Sequence, residues 1–197
     1  MKKTLLAAAL CAIAALGSAH AQQAEGQWLV RARAVHLDSA NKDSTGLDLS
    51  INNKWIPEVD VSYFFTPNIA AELILTYPQK HDLRAAGTKI GSLKHLPPSL
   101  LAQYHFTNFS GFKPYVGAGV NYTRFSSVQL PAGVDIDRNS WGGALQVGVD
   151  IPLQKNLYLN FDVKKLYIKT DVSAAGVTLG SFKVDPVLIG IGLGWRF

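Results

Sequence analysis

Val187-Leu188-Ile189-Gly190-Ile191-Gly192-Leu193-Gly194-Trp195-Arg196-Phe197 closes the chain with an apolar comb. Val187, Ile189, Ile191, Leu193, Trp195 and Phe197 fall on one face of an extended chain, over Gly190, Gly192, Gly194 and Arg196. A period of two is the spacing of a β-strand. A strand with one face large and apolar throughout must bury that face in a core or turn it to lipid. The strand predicted here, Phe182–Phe197, is long enough to cross a bilayer, for which about 9–11 tilted residues suffice.

Seven more segments of this kind precede it. They are predicted at Gln27–Leu37, Ile56–Phe65, Ile69–Tyr77, His95–Phe106, Lys113–Phe125, Ser140–Ile151 and Leu157–Ile168. Each alternates. Val59, Val61 and Tyr63 oppose Glu58, Asp60 and Ser62, and Leu157, Leu159, Phe161 and Val163 oppose Asn160, Asp162 and Lys164. Connections after strands two, four and six are tight turns such as Thr66-Pro67-Asn68. Those after strands one, three, five and seven are longer and polar. This asymmetry belongs to outer-membrane barrels, with short periplasmic turns and long outer loops, and it puts both chain ends on the periplasmic side. Lipid offers no partner to an unpaired N–H or C=O, so a spanning sheet must close on itself. The fold class expected is all-β, an eight-stranded antiparallel transmembrane barrel. A soluble sandwich also alternates, but here the polar face carries Arg, Glu, Asp and Lys, which suits a lumen better than a dry core. Tyr63, Phe65, Tyr77, Tyr104, Phe106, Trp141 and Trp195 recur at strand ends, as an aromatic girdle would.

The beginning of the chain reads differently. Lys2 and Lys3 precede an uncharged run from Leu5 to Gly17, and Ala19-His20-Ala21 has the form of a cleavage site. Residues 1–21 are expected to be a cleaved signal peptide and 22–197 the barrel. The single cysteine, Cys11, lies in the signal, so no disulfide or thiolate metal site is expected. With 19 Lys+Arg against 14 Asp+Glu and no basic cluster, nucleic acid is not an expected partner.

Several stretches together resemble the OmpW family of small outer-membrane barrels. They include Tyr63-Phe64-Phe65-Thr66, Asn68-Ile69-Ala70-Ala71-Glu72-Leu73, Leu96-Pro97-Pro98-Ser99-Leu100-Leu101-Ala102-Gln103-Tyr104-His105-Phe106, Lys113-Pro114-Tyr115-Val116-Gly117-Ala118-Gly119-Val120-Asn121-Tyr122-Thr123 and Asp185-Pro186. The resemblance implies a monomeric eight-stranded barrel with a narrow, partly apolar interior. It also implies passive uptake of small hydrophobic molecules across the outer membrane. No cofactor is expected. The terminal aromatic, Phe197, looks like the signal read by the outer-membrane assembly machinery.

Strand parity turns Arg31, Arg33, Glu58, Asp60, Glu72, Asp150, Asp162, Lys164 and Arg196 inward. Confined charges should pair, because an isolated buried charge is costly, so a charged floor is expected. Ile74, Leu101 and Leu166 also face inward and are expected to form an apolar constriction. Pro97 and Pro98 lack an N–H and should loosen the wall beside strand four, marking a lateral opening through which a solute leaves for the membrane. An adhesive or purely structural barrel would show extended apolar loop tips, whereas these loops read as short to moderate and polar. A lipid-modifying enzyme would need a histidine beside a nucleophile or carboxylate. His36, His81, His95 and His105 stand at no such motif and lack metal-site spacing, so neither catalysis nor a metal is expected. His81, beside Asp82, reads as solvated loop.

Overall fold

The computed structural model describes residues 26–197, and the expected signal peptide lies outside the described residues. In chain order the strands are β1 (Trp28–Asp38), β2 (Lys42–Asp43), β3 (Leu49–Ile51), β4 (Lys54–Phe64), β5 (Ile69–Leu75), β6 (Gln79–Ala85), β7 (Thr88–Leu96) and β8 (Ser99–His105). They continue as β9 (Lys113–Gln129), β10 (Val134–Ile136), β11 (Asn139–Gln154), β12 (Leu157–Leu166), β13 (Lys169–Ala174), β14 (Val177–Lys183) and β15 (Val187–Arg196). Eight of them, β1, β4, β5, β8, β9, β11, β12 and β15, pair in a ring that closes through β11 and β9 and again through β1 and β15. Every pairing is antiparallel, and the ladder returns on itself around the ring, which is what lipid demands of a spanning sheet.

Burial along the ring is the inverse of a soluble protein. Leu100, Val120, Val147, Ile189 and Leu193 are each at least half exposed on the outer face, while Arg31, Asp60 and Glu72 inside are fully buried. An apolar outer face that is continuous around the molecule far exceeds the patches a soluble monomer exposes. Aromatic rings mark its two rims. Tyr63–Phe65 and Tyr104–Phe106 pair edge-on at one end, near Trp195, and Tyr122 packs on Trp141 at the other, at the level of Tyr77. Trp28 and Phe197 exchange both backbone hydrogen bonds, so the first strand and the final aromatic meet at the same rim.

Two expectations about the strands need correction. Strand four does not run unbroken through Pro97-Pro98, and strand eight does not run unbroken through Asp185-Pro186. The first splits into β7 and β8, the second into β14 and β15. Proline cannot donate to the ladder, and Asp185 takes a positive φ of 34°. The second correction concerns the outer connections. They hold short strands, two of them as the hairpins β6–β7 and β13–β14, and they build a second storey. The strands β3, β6 and β7 extend the barrel sheet, while β10, β13, β14 and β2 form a separate four-stranded sheet. Between these walls Leu49, Ile51, Leu83, Leu93, Phe125, Ile136, Val172 and Phe182 pack into an apolar core continuous with the upper lumen. The tips are not wholly polar either: Leu47, Val177 and Leu179 are each at least 40% exposed.

Candidate transport site

The lumen is stacked in layers, set by which residue types fall on inward positions at each height. At the periplasmic end Leu29, Phe64, Ala70 and Tyr158 form a small apolar cluster. Arg196 lies there too, its guanidinium 3.9 Å from the Phe64 ring centroid and its Nε donating to the Gly26 carbonyl at 2.7 Å.

Above this comes the charge layer. Arg31 donates to Asp150 through both Nε (3.1 Å) and Nη2 (2.6 Å), and its Nη1 reaches Asp60, Ser62 and Glu72 at 3.1–3.3 Å. Arg33 pairs with Glu58 (3.1 Å), Glu72 (3.3 Å) and Asp162 (3.3 Å), and closely with Asp60. Lys164 donates to Glu58 and Asp162, each at 2.6 Å. Three cations thus serve five carboxylates. Neutral donors satisfy the remaining oxygens: Gln146 Nε2 bonds Glu72 (2.9 Å) and Asp162 (2.8 Å), and Asn160 Nδ2 bonds Asp150 (2.9 Å). Tyr115 Oη donates to Asp162 at 3.2 Å, and its ring lies 5.0 Å from the Arg31 guanidinium. A buried charge survives only when it is paired, and each charge in this layer has an opposite partner within 3.3 Å; Arg33 Nε lies beside Glu58 but makes no hydrogen bond. Of the nine residues expected there, eight share the network; Arg196 sits in the periplasmic layer instead.

Room for these long side chains comes from inward glycines. A Cβ on Gly148 would lie 2.3 Å from Tyr115 Cζ, and one on Gly117 would lie 2.7 Å from Gln146 Oε1. The missing side chains on β9 and β11 let Tyr115 and Gln146 lie flat across the lumen.

Directly on the charge layer rests an apolar chamber. Leu37, Ile56, Ile74, Leu166, Ile168 and Leu188 wall it, Glu58 and Lys164 form its floor, and Thr76, His95, Pro97 and Ser99 edge it. Its open volume is about 10 Å³, room for about one water, so a solute can pass only if these side chains part. Ile74 and Leu166 are on the wall as parity placed them. Leu101 is buried in the same apolar cluster, yet it faces Glu72 across the ladder and does not line the cavity. A second cavity, of about 50 Å³, lies in the upper storey among Leu49, Leu83, Leu93, Ile136, Val172 and Phe182.

The wall is discontinuous beside this chamber. The β5–β8 ladder ends at Ile74 opposite Ser99, and the next pairing on that seam is Gln79 opposite His95. Between them, Thr76-Tyr77-Pro78 faces Leu96-Pro97-Pro98 with no ladder. On its other side the proline pair is held: Tyr122 N–H bonds the Pro98 carbonyl at 3.1 Å, and Asn121 Nδ2 reaches the carbonyls of Pro97 (3.2 Å) and Pro98 (3.3 Å). The seam toward strand three is therefore the open one.

Sequence reading missed the upper apolar storey, whose inner residues alternate over pieces as short as β2 and β3. It also misplaced His81. Far from being solvated, His81 is fully buried and faces inward, stacked on His95. Their pairing depends on the β6–β7 register, which a bulge between Leu83 and Arg84 shifts.

A closed ring of eight antiparallel strands, lipid-facing outside and charged within, makes this an outer-membrane β-barrel. A profile of the OmpW family matches residues 24–197, and the chain belongs to that family. It is 44% identical over 183 residues to an uncharacterized outer-membrane protein, y4mB, of Sinorhizobium fredii, covering 86% of this chain and 80% of that one. It is 34% identical to outer membrane protein W of Vibrio cholerae over the full length of both. A dibenzothiophene metabolism operon protein, PahQ, of Pseudomonas aeruginosa is 30% identical, with 83% of this chain and 80% of that one covered. Among solved structures, the outer membrane protein OprG of Pseudomonas aeruginosa superposes with a TM-score of 0.75 at 27% identity, over 88% of this chain and 96% of that one.

Proposed function

We propose that the protein is a passive channel for small hydrophobic molecules, which it receives in the apolar upper storey and releases sideways into the outer membrane. The observation that carries this reading is the stacking of an apolar chamber on a fully paired charge layer, with a break in the wall at the same height. A solute that reaches the chamber meets a floor of buried ion pairs, costly to open. The seam between Thr76–Pro78 and Leu96–Pro98 offers a route with no ladder bonds to break. Apolar surface gains by leaving water for hydrocarbon, so lateral release runs downhill. The relation to a protein of a dibenzothiophene metabolism operon agrees with an apolar cargo.

No catalytic step is part of this reading. His81 bonds the Asn52 carbonyl and His105 bonds the Gln103 amide, so neither ring is engaged with a nucleophile. The protein is proposed to work as a monomer, because the ring is complete within one chain, with Phe197 serving assembly. A second reading, an adhesive or structural barrel, is favoured only by the exposed Leu47, Val177 and Leu179 in the outer connections. Uptake into proteoliposomes of an apolar and a charged solute of matched size separates the two. The channel predicts selective acceleration of the apolar one; no acceleration of either leaves the adhesive reading.

A further inference from the structure

Gln79, His81 and His95 carry polar atoms that the transport path has not used. All three side chains are fully buried on the inner face of the β6–β7 hairpin, and Gln79 stands opposite His95 in the ladder. His95 edges the apolar chamber. The His81 ring stacks against it, centroids 4.6 Å apart and planes 9° from parallel.

His81 Nδ1 lies 3.0 Å from the Asn52 carbonyl oxygen. A carbonyl can only accept, so Nδ1 bears the proton and Nε2 is a bare acceptor. Gln79 Nε2 donates to Thr76 Oγ1 (3.2 Å) and to the Tyr77 carbonyl (3.0 Å). That fixes the amide and leaves Oε1 as an acceptor. His81 Nε2, Gln79 Oε1 and both His95 nitrogens are buried without a protein partner. A neutral His95 supplies one donor and one acceptor. The cluster therefore offers three acceptors and one donor. Buried polar groups are normally paired, and such a surplus of acceptors calls for a group that donates.

We infer that this cluster is a recognition site for a hydroxyl group, and that the preferred cargo is a small apolar molecule carrying one O–H, such as a phenol or a medium-chain alcohol. This inference rests on the transport reading and narrows its substrate class. An O–H gives its proton to a ring nitrogen or to Gln79 and accepts from the His95 N–H. A hydrocarbon satisfies none of these atoms, and an ionised carboxylate has no proton to give. The neighbouring charges do not change the choice. Lys54 acts on both rings and donates to the Lys80 carbonyl at 3.1 Å, while Asp82 is engaged by Lys89 at 2.8 Å. The hairpin stands beyond the membrane-spanning strands, and burial there holds His81 down to about 4 and His95 to about 3, so both rings stay neutral at ordinary pH. A metal ion fits poorly. Its ligands must point their lone pairs at one centre, whereas lone pairs in two parallel rings run side by side.

The test uses the full barrel in lipid nanodiscs, with ring-¹⁵N-labelled histidine, titrated with 4-ethylphenol and with ethylbenzene. The expected result is movement of the His95 ring signals with 4-ethylphenol and a preference over ethylbenzene of about tenfold, the scale of one well-placed hydrogen bond. In His95→Phe the preference should fall to about one. Equal binding of the two probes, unmoved ring signals in the unaltered protein, or an undiminished preference in His95→Phe would each overturn the inference. Failure of transport is separable: hydroxyl-selective binding without proteoliposome uptake removes the channel and keeps the site. Equal binding with rapid uptake of both keeps the channel and removes the site.

Discussion

Lys164 on β12 reaches across the lumen to Glu58 on β4, Nζ to Oε1 2.6 Å, and the pair is both the roof of the charge layer and the floor of the apolar chamber. Removing Lys164 leaves Glu58 with Arg33 alone and five buried carboxylates to two arginines. Lys164→Met is expected to destabilise the barrel by about 3–5 kcal/mol, the scale for breaking a buried pair. The double change Lys164→Met, Glu58→Met should recover most of that loss. Urea unfolding of the three proteins in lipid checks both statements.

Gly148 tests the packing beneath that floor. Its Cβ would meet the Tyr115 ring at 2.3 Å, and Tyr115 is fully buried. Gly148→Ala should cost about 1–3 kcal/mol by overpacking. Lengthening the outward Val147 to Ile, on the lipid side of the same strand, should cost almost nothing. Heat-dependent gel mobility, which separates folded from unfolded barrels, ranks the two.

The outer hairpin should weaken in acid. Burial lowers the folded-state pKa of His81 to about 4 and of His95 to about 3, from an ordinary 6.5. Between these limits the opened hairpin binds more protons than the closed one, so its stability is complete above about pH 6.5 and falls as pH drops toward 4. Amide exchange in β6 and β7 at pH 5, corrected for intrinsic rates, should exceed that at pH 7.5 by about thirtyfold for each histidine that the opening frees. Replacing both histidines with Phe should remove most of the difference, while exchange in β12 stays constant.

Most of the barrel could be read from residue parity. Ile74, Glu58 and Arg33 went to the inside because a period of two leaves a side chain no third choice. What escaped was set by relations between strands. Nothing in Gln79-Lys80-His81 says that a bulge two residues on will bring His81 onto His95. Nothing local to Leu101 says that its cross-strand partner is Glu72, which keeps it off the cavity wall. Pro97-Pro98 announced a weakness in the wall, but only the bonds from Tyr122 N–H and the Asn121 side chain show which seam is stitched and which is open.

Ile74 probes the chamber wall. Ile74→Asp places a carboxylate on the apolar side of the Glu58–Lys164 floor. Uptake of an apolar solute should fall by tenfold or more, on the scale of a buried charge, while gel mobility still reports a folded barrel. A folded variant with the original uptake rate would remove Ile74 from the path.

Lateral release is decided most directly at the seam. Pro97→Ala together with Pro98→Ala supplies two N–H donors, and because successive donors of an extended chain point to opposite neighbours, one of them can face Thr76–Pro78 and let the ladder close between Ile74–Ser99 and Gln79–His95. The measurement is the initial rate of apolar-solute uptake into proteoliposomes at equal amounts of folded protein. The lateral-release account predicts a several-fold slower rate in the double variant, with planar-bilayer ion conductance negligible in both proteins. An unchanged rate, or a large stable conductance through the unaltered barrel, would contradict it.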